Sequence, residues 1–92
     1  MPDELVVGTI IGVQEHPGAR APSLLLTVDL GQYGTREVVL SSGSYAADDL
    51  ERTQVVCRRT DDAALVVAAH SHGRGLILLR PDNEVEPGTL VD

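Results

Sequence analysis

The sequence is almost without aromatic residues and contains no lysine. Its 92 residues include two tyrosines, no phenylalanine and no tryptophan, and all seven basic residues are arginines. Proteins that hold single-stranded nucleic acid usually stack the bases on aromatic rings. Any nucleic acid bound by this chain therefore has to be held mainly by shape and by arginine contacts.

Positive charge is also scarce. Fourteen acidic residues stand against the seven arginines, which gives a net charge of −7 at pH 7. Phosphate neutralisation dominates the affinity of proteins for nucleic acids. An acidic chain must therefore gather its arginines on one face in order to bind RNA.

The sequence also has only one cysteine and no long apolar run. A single residue, Cys57, excludes a disulfide within the chain and is typical of a reducing compartment. The N-terminal residues lack the charge and apolar pattern of a signal peptide, and no run is long enough to span a membrane. We expect a single cytoplasmic domain, residues 1–92, with no membrane contact. Its core must be aliphatic, since 42% of the residues are hydrophobic.

What the chain does have is a series of short apolar runs separated by turn residues. This pattern predicts an all-β fold, a five-stranded β-barrel of the OB type. One short helix, 46–52, is expected between strands 3 and 4, and Gly31 to Gly34 should form a hairpin turn. The predicted strands are Leu5–Val13, which glycines should bend, Leu24–Leu30, Thr35–Ser41, Gln54–Arg58 and Ala63–Ala69, followed by a further run at Leu76–Leu79.

Seven short motifs follow one another along the chain. They are Val7-Gly8; His16-Pro17 with Ala19; Val28-Asp29-Leu30-Gly31; Arg36 with Ser42-Gly43; Tyr45 to Leu50; Pro81-Asp82; and Val85-Glu86-Pro87-Gly88. In this order they resemble the tRNA-binding-domain family. That family includes the CsaA-type secretion chaperones and the C-terminal domains of some methionyl-tRNA synthetases.

The resemblance implies a non-catalytic module with an OB fold. The leading expectation is a tRNA- or RNA-binding function, with tRNA or another structured RNA as the partner. The alternative is a CsaA-like homodimeric chaperone in protein export, which holds unfolded polypeptide in a groove between protomers. Typical members follow the fourth strand with an N-x-x-P-R-x-x-x-G-x-x-S-x-G-M segment, whereas here Arg58 to Asp62 lead directly into Ala63.

Candidate RNA-binding residues are those that can pair with phosphate or stack on a base. The arginines could equally be solvated charges, and Arg58 and Arg59 could pair locally with Asp61 and Asp62. Tyr45, ahead of the helix, is expected to pack against the end of the barrel instead. The candidate set is Arg20, Arg36, Arg58, Arg59 and Arg74, with Tyr33 in the hairpin and Ser42 in the serine-glycine motif.

The sequence contains no recognisable catalytic constellation. Ser41 to Ser44 do not form a G-x-S-x-G nucleophile motif, and no base is placed beside them by the pattern. His70 and His72 could begin a metal site, but no third ligand is evident nearby. We therefore expect no enzyme activity, no metal and no cofactor.

Overall fold

A computed structural model describes residues 4–15, 23–41, 45–61 and 63–91. One helix, α1 (Ala47–Leu50), lies between the third and fourth strands, and a 3-10 turn spans Gly31–Tyr33. The strands are β1 (Glu4–Glu15), β2 (Ser23–Asp29), β3 (Thr35–Ser41), β4 (Gln54–Arg59), β5 (Ala64–Val66), β6 (Ala68–Ser71) and β7 (Gly75–Leu78).

Five of the strands form one antiparallel sheet that curls into a nearly closed barrel. Their order is β3-β2-β1-β4-β5, and the two terminal strands, β3 and β5, contact each other. Strands β6 and β7 form a separate two-stranded hairpin. The predicted five-stranded OB-type barrel, with a short helix between strands 3 and 4, is confirmed.

The first strand is long because it serves two partners. Its first half, Glu4 to Thr9, pairs with β4, and its second half, Thr9 to Glu15, pairs with β2. The register shifts between Ile10 and Gly12, where an extra residue bends the strand. The predicted bend of the first strand is therefore confirmed, and it lets one strand turn a corner of the barrel.

The core is almost wholly aliphatic, as the composition requires. Alternate residues of β2 and β3 face inward, and burying each large aliphatic side chain contributes about 1.5–3 kcal/mol. Tyr45 packs against this core, and its hydroxyl oxygen accepts a hydrogen bond of 3.0 Å from the Leu78 N–H, which confirms the predicted packing role. The largest fully buried side chains are Ile10, Leu26, Leu30, Leu50, Val6, Val28, Val55 and Cys57.

Most strand ends differ from the prediction by one or two residues, and two differences are larger. The predicted strand Ala63–Ala69 is interrupted at Val67, where the chain leaves the barrel sheet and enters the hairpin. The N–H of Val67 still bonds to Val56 at 2.9 Å, while its carbonyl accepts from Leu79 at 3.4 Å. The helix is shorter than predicted because Arg52 adopts a left-handed φ of 68°, which ends it.

Residues 79–91, here called the C-terminal strap, pass the start of β4 and then run beside the first half of β1. The Gln54 side chain clamps the strap because its Nε2 donates to the Val85 carbonyl at 2.6 Å, and its Oε1 accepts from the Val85 N–H at 2.9 Å. Further along, the Gly88 N–H donates to Val7 at 2.7 Å, and the Val7 N–H donates to Thr89 at 2.9 Å. The strap thus covers the edge of β1 that β2 leaves unpaired.

The strap is seated by a contact between two glycines. Gly31 and Gly88 both have positive φ values, 65° and 88°. A Cβ atom on Gly31 would overlap the Pro87 carbonyl, and one on Gly88 would lie 2.6 Å from the Leu30 oxygen. Two glycines from separate sequence motifs are therefore needed at one place, where two stretches of backbone touch.

We expect Gly31→Ala to lower the free energy of unfolding by about 2–4 kcal/mol, since it combines a strained φ with a steric overlap. Urea denaturation followed by circular dichroism measures the loss. Gly73→Ala is the matched control, because a Cβ there meets nothing within 4 Å. Equal stability of the two variants would contradict the close backbone contact.

The only cysteine lies inside the barrel. Cys57 is fully buried, and this desolvation raises the pKa of its thiol to about 11. The neutral thiol is therefore the form that the folded protein holds at physiological pH. Among the described residues no helix is long and apolar enough to cross a membrane.

The buried thiol predicts a specific loss of stability in alkali. The unfolded chain ionises this thiol near pH 8.5 and the folded protein near 11, so stability falls as pH rises between these values. The loss should reach about 3 kcal/mol. Urea midpoints measured from pH 8 to 11 should fall more steeply for the wild-type protein than for Cys57→Ala, and parallel curves would refute the assignment.

Candidate binding surfaces

A tyrosine, an arginine and a glutamate contact one another beside the core of the barrel. Glu4 of β1 and Arg59 of β4 are register partners, and Arg59 Nη2 donates to Glu4 Oε1 in an ion pair. The Arg59 guanidinium also lies over the ring of Tyr33, 3.9 Å from its centroid. Tyr33 itself packs against the buried core.

These contacts place two of the predicted RNA-binding residues against each other. The Arg59 guanidinium covers one face of the Tyr33 ring, and Glu4 neutralises its charge. This ion-pair partner is a residue on a neighbouring strand; of the two local acids considered from the sequence, Asp61 forms no ion pair within the described residues, and Asp62 lies outside them. A role in RNA binding for Tyr33 and Arg59 stays a prediction, whereas their packing beside the core of the barrel is a structural observation.

We expect Arg59→Met to lower the free energy of unfolding by about 1–2 kcal/mol, because it removes both the cation–π contact and the ion pair. Thermal or urea denaturation measures the change. Arg74→Met, at an exposed turn, should leave stability unchanged. If Arg59→Met kept full stability and lost only RNA binding, the side chain would have to face a ligand instead of the barrel.

Three of the other predicted residues, Arg36, Arg58 and Arg74, lie in the part of the chain that is described. Arg36 lies two residues before the inward-facing Val38, on the same face of β3, and its guanidinium donates to the Thr35 carbonyl at 3.1 Å. Arg58 is exposed, and Arg74 is exposed at the turn between β6 and β7. Arg20 and Ser42 lie outside the described residues. RNA binding by these five residues stays a prediction.

Two arginines outside the predicted set lie at one cleft. Arg52, just after α1, and Arg80, just after β7, line it together with Gln54 and Glu84. No sequence spacing relates the two arginines, since the strap brings them together only in the folded chain. A weak signal was available in the sequence: Arg52 follows the helix where glycine or asparagine is usual.

An apolar surface flanks the line where the barrel closes. The terminal strands β3 and β5 contact each other, but no hydrogen-bonded ladder joins them within the described residues. We call this line the β3–β5 seam. Val39 on β3 and Leu65 on β5 are 55% and 60% exposed, although their strand neighbours Val38 and Ala64 are buried. Both therefore point outward from the strands that border the seam.

The two described histidines, His70 and His72, belong to no group of described residues that could hold a metal. His70 lies on β6 and His72 in the following turn, and both are exposed. Within residues 4–15, 23–41, 45–61 and 63–91, no three histidine, cysteine or acidic side chains form a potential metal-binding group.

The strand order and the single inserted helix define a small barrel of the OB class, and solved structures share the whole arrangement. A chaperone CsaA from Bacillus anthracis str. Ames has a TM-score of 0.85 and 24% identity, over 98% of this chain and 91% of its own. A CsaA chaperone protein from Picrophilus torridus has a TM-score of 0.86 and 24% identity, over 98% and 92%.

A third solved structure, a MetRS related protein from Pyrococcus horikoshii, has a TM-score of 0.79 and 16% identity. It covers 97% of this chain and 89% of its own. At these identities the likeness concerns the fold, and the resemblance predicted from the seven motifs is confirmed at that level. No protein-family model matches the sequence, and no curated protein matches it.

Proposed function

We propose that the chain is a non-catalytic binding module for extended, apolar polypeptide segments, which it holds at the β3–β5 seam. The observation that carries this proposal is the pair of outward-facing aliphatic side chains on the two terminal strands, Val39 and Leu65. Large aliphatic residues this exposed on neighbouring strands are typical of interaction surfaces.

The backbone at the seam also supports binding of an extended polypeptide. A terminal strand presents a row of N–H and C=O groups that another chain can pair with. An extended peptide binds such an edge through main-chain hydrogen bonds, while its alternate side chains contact neighbouring apolar groups. Val39 and Leu65 supply those apolar groups on either side of the seam.

Charge also favours a polypeptide over a polyanion. The net charge of −7 repels phosphate groups in general, whereas it tolerates apolar or basic polypeptide segments. The ring of Tyr33, one of two available for stacking, has a face covered by Arg59. Two of the solved structures with this fold are named as CsaA chaperones, which agrees with a polypeptide partner.

RNA binding, the leading expectation from the sequence, is the second candidate function. The cleft between Arg52 and Arg80 favours it, since two guanidinium groups lie near each other in an otherwise acidic protein. The MetRS related protein with the same fold agrees with this candidate. The homodimer and the cytoplasmic location expected from the sequence stay predictions.

We expect the protein to suppress aggregation of the insulin B chain released by dithiothreitol, followed by light scattering. The double variant Val39→Ser, Leu65→Ser should lose at least half of this effect, because both apolar contacts at the seam are removed. Both positions are exposed, so thermal stability should stay close to that of the wild-type protein.

Leu90→Ser is the matched control. Leu90 is 55% exposed, but it lies on the strap opposite Val6, with β1 and β4 between it and Leu65. Its effect on aggregation should be small. A wild-type protein without activity, or a double variant with full activity, would overturn the proposal. Fluorescently labelled tRNA that binds at low salt, with affinity falling steeply as salt rises, would then favour the RNA function.

A further inference from the structure

We propose that the cleft between Arg52 and Arg80 is a binding site for a phosphate group. The cleft has a volume of about 190 Å³ and is lined by Arg52, Thr53, Gln54, Arg80, Pro81 and Glu84. It is smaller than the pockets of roughly 300–1,000 Å³ that enclose whole drug-sized ligands. Its size therefore suits one charged group of a ligand.

The two guanidinium groups are available to such a ligand. Arg52 and Arg80 are both exposed, and within the described residues neither side chain has a hydrogen-bond or ion-pair partner. Arg59, by contrast, is engaged by Glu4 and Tyr33. In a chain with twice as many acids as arginines, two unpaired arginines at one cleft concentrate positive charge locally.

The backbone conformation of Arg52 also supports a binding site at the cleft. Arg52 is the one non-glycine residue in the described part of the chain with a positive φ, 68°. This conformation is unfavourable for a residue with a Cβ atom. The backbone is held there by hydrogen bonds between the Arg52 N–H and Ile10, at 2.8 Å, and between the Ile10 N–H and Thr53, at 2.9 Å. An arginine therefore occupies a backbone conformation beside the cleft that glycine would adopt without strain.

Apart from Glu84, the other polar side chains of the cleft are already engaged. Gln54 Nε2 donates to Thr9 Oγ1 at 3.0 Å and to the Val85 carbonyl. The Thr53 hydroxyl donates to Leu50 at 2.6 Å. These contacts fix the wall of the cleft and leave the forked N–H donors of Arg52 and Arg80 free, a donor type that suits phosphate oxygens.

The charge of Glu84 is expected to weaken phosphate binding at the cleft. Its carboxylate lines the same cleft without an ion pair to either arginine in the described residues, so it repels an entering phosphate. Removal of this charge should strengthen binding, while removal of either guanidinium should weaken it. Opposite effects from neighbouring positions are not expected of a solvated surface that binds nothing.

The test is an NMR titration at constant ionic strength with three probes: inorganic phosphate, a nucleoside 5′-monophosphate and a short single-stranded RNA. We expect Arg52→Gly and Arg80→Gln each to weaken binding at least tenfold, and Glu84→Gln to tighten it several-fold. Arg52→Gly should also raise the melting temperature, since glycine relaxes the backbone there. Arg74→Gln is the matched control and should change neither binding nor stability.

The three probes distinguish the sources of the phosphate. Similar binding of all three assigns the site to a free phosphate group, and much tighter binding of RNA assigns it to a nucleic-acid backbone. Either result supports the site if it depends on Arg52 and Arg80. No binding of any probe, or binding unchanged in both arginine variants, overturns it. Neither outcome bears on polypeptide binding at the seam, which is measured with Val39 and Leu65.

Discussion

The contact between Gly31 and Gly88 is the constraint on which the rest of the barrel depends. At this point the backbone that leaves β2 touches the backbone of the strap, and neither residue has room for a side chain. From there the strap continues along β1, and on its other side Gln54 clamps Val85. A single close approach therefore fixes both the turn after β2 and the course of the strap.

The strap in turn organises the polar surface. Arg80 and Glu84 of the strap lie near the start of β4, beside Arg52 and its strained backbone. At the opposite end of β4, Arg59 is neutralised by Glu4 and packed on Tyr33. Two arginines at opposite ends of β4 thus have different surroundings: Arg59 contacts Glu4 and Tyr33, whereas Arg52 is exposed and its side chain has no partner within the described residues. The surroundings of each arginine, and not its charge alone, therefore decide whether its N–H donors can reach a ligand.

Much of the fold can be predicted because it depends on patterns of a few neighbouring residues. The strand Thr35–Ser41 was placed to the residue, and Gly31 was placed in a turn, since alternation and turn chemistry act over a few neighbours. The break at Val67 was not predictable, because the run of apolar residues continues through it and only a change of strand partner marks it.

The candidate sites were less accessible to sequence reasoning. Tyr33 and Arg59 have the residue types of an RNA site, but their contact with each other depends on the closure of the barrel. Arg52 and Arg80 are not predictable as a pair, because they are isolated charges in the sequence and only the folded strap brings the two together. Local pattern therefore predicts which residues can bind, while tertiary contacts decide which of them are free to do so.

The pairing of β1 with the strap has a consequence for how the barrel folds. The Val7 N–H finds its acceptor at Thr89, and Val91 donates to Leu5, so the first strand is completed by residues far away in the sequence. Until the strap is in place, one edge of β1 and the Val7 side chain, which is buried in the finished barrel, are open to water or to other chains. Contacts between residues so far apart in the sequence slow folding, which prolongs the exposure of the first strand.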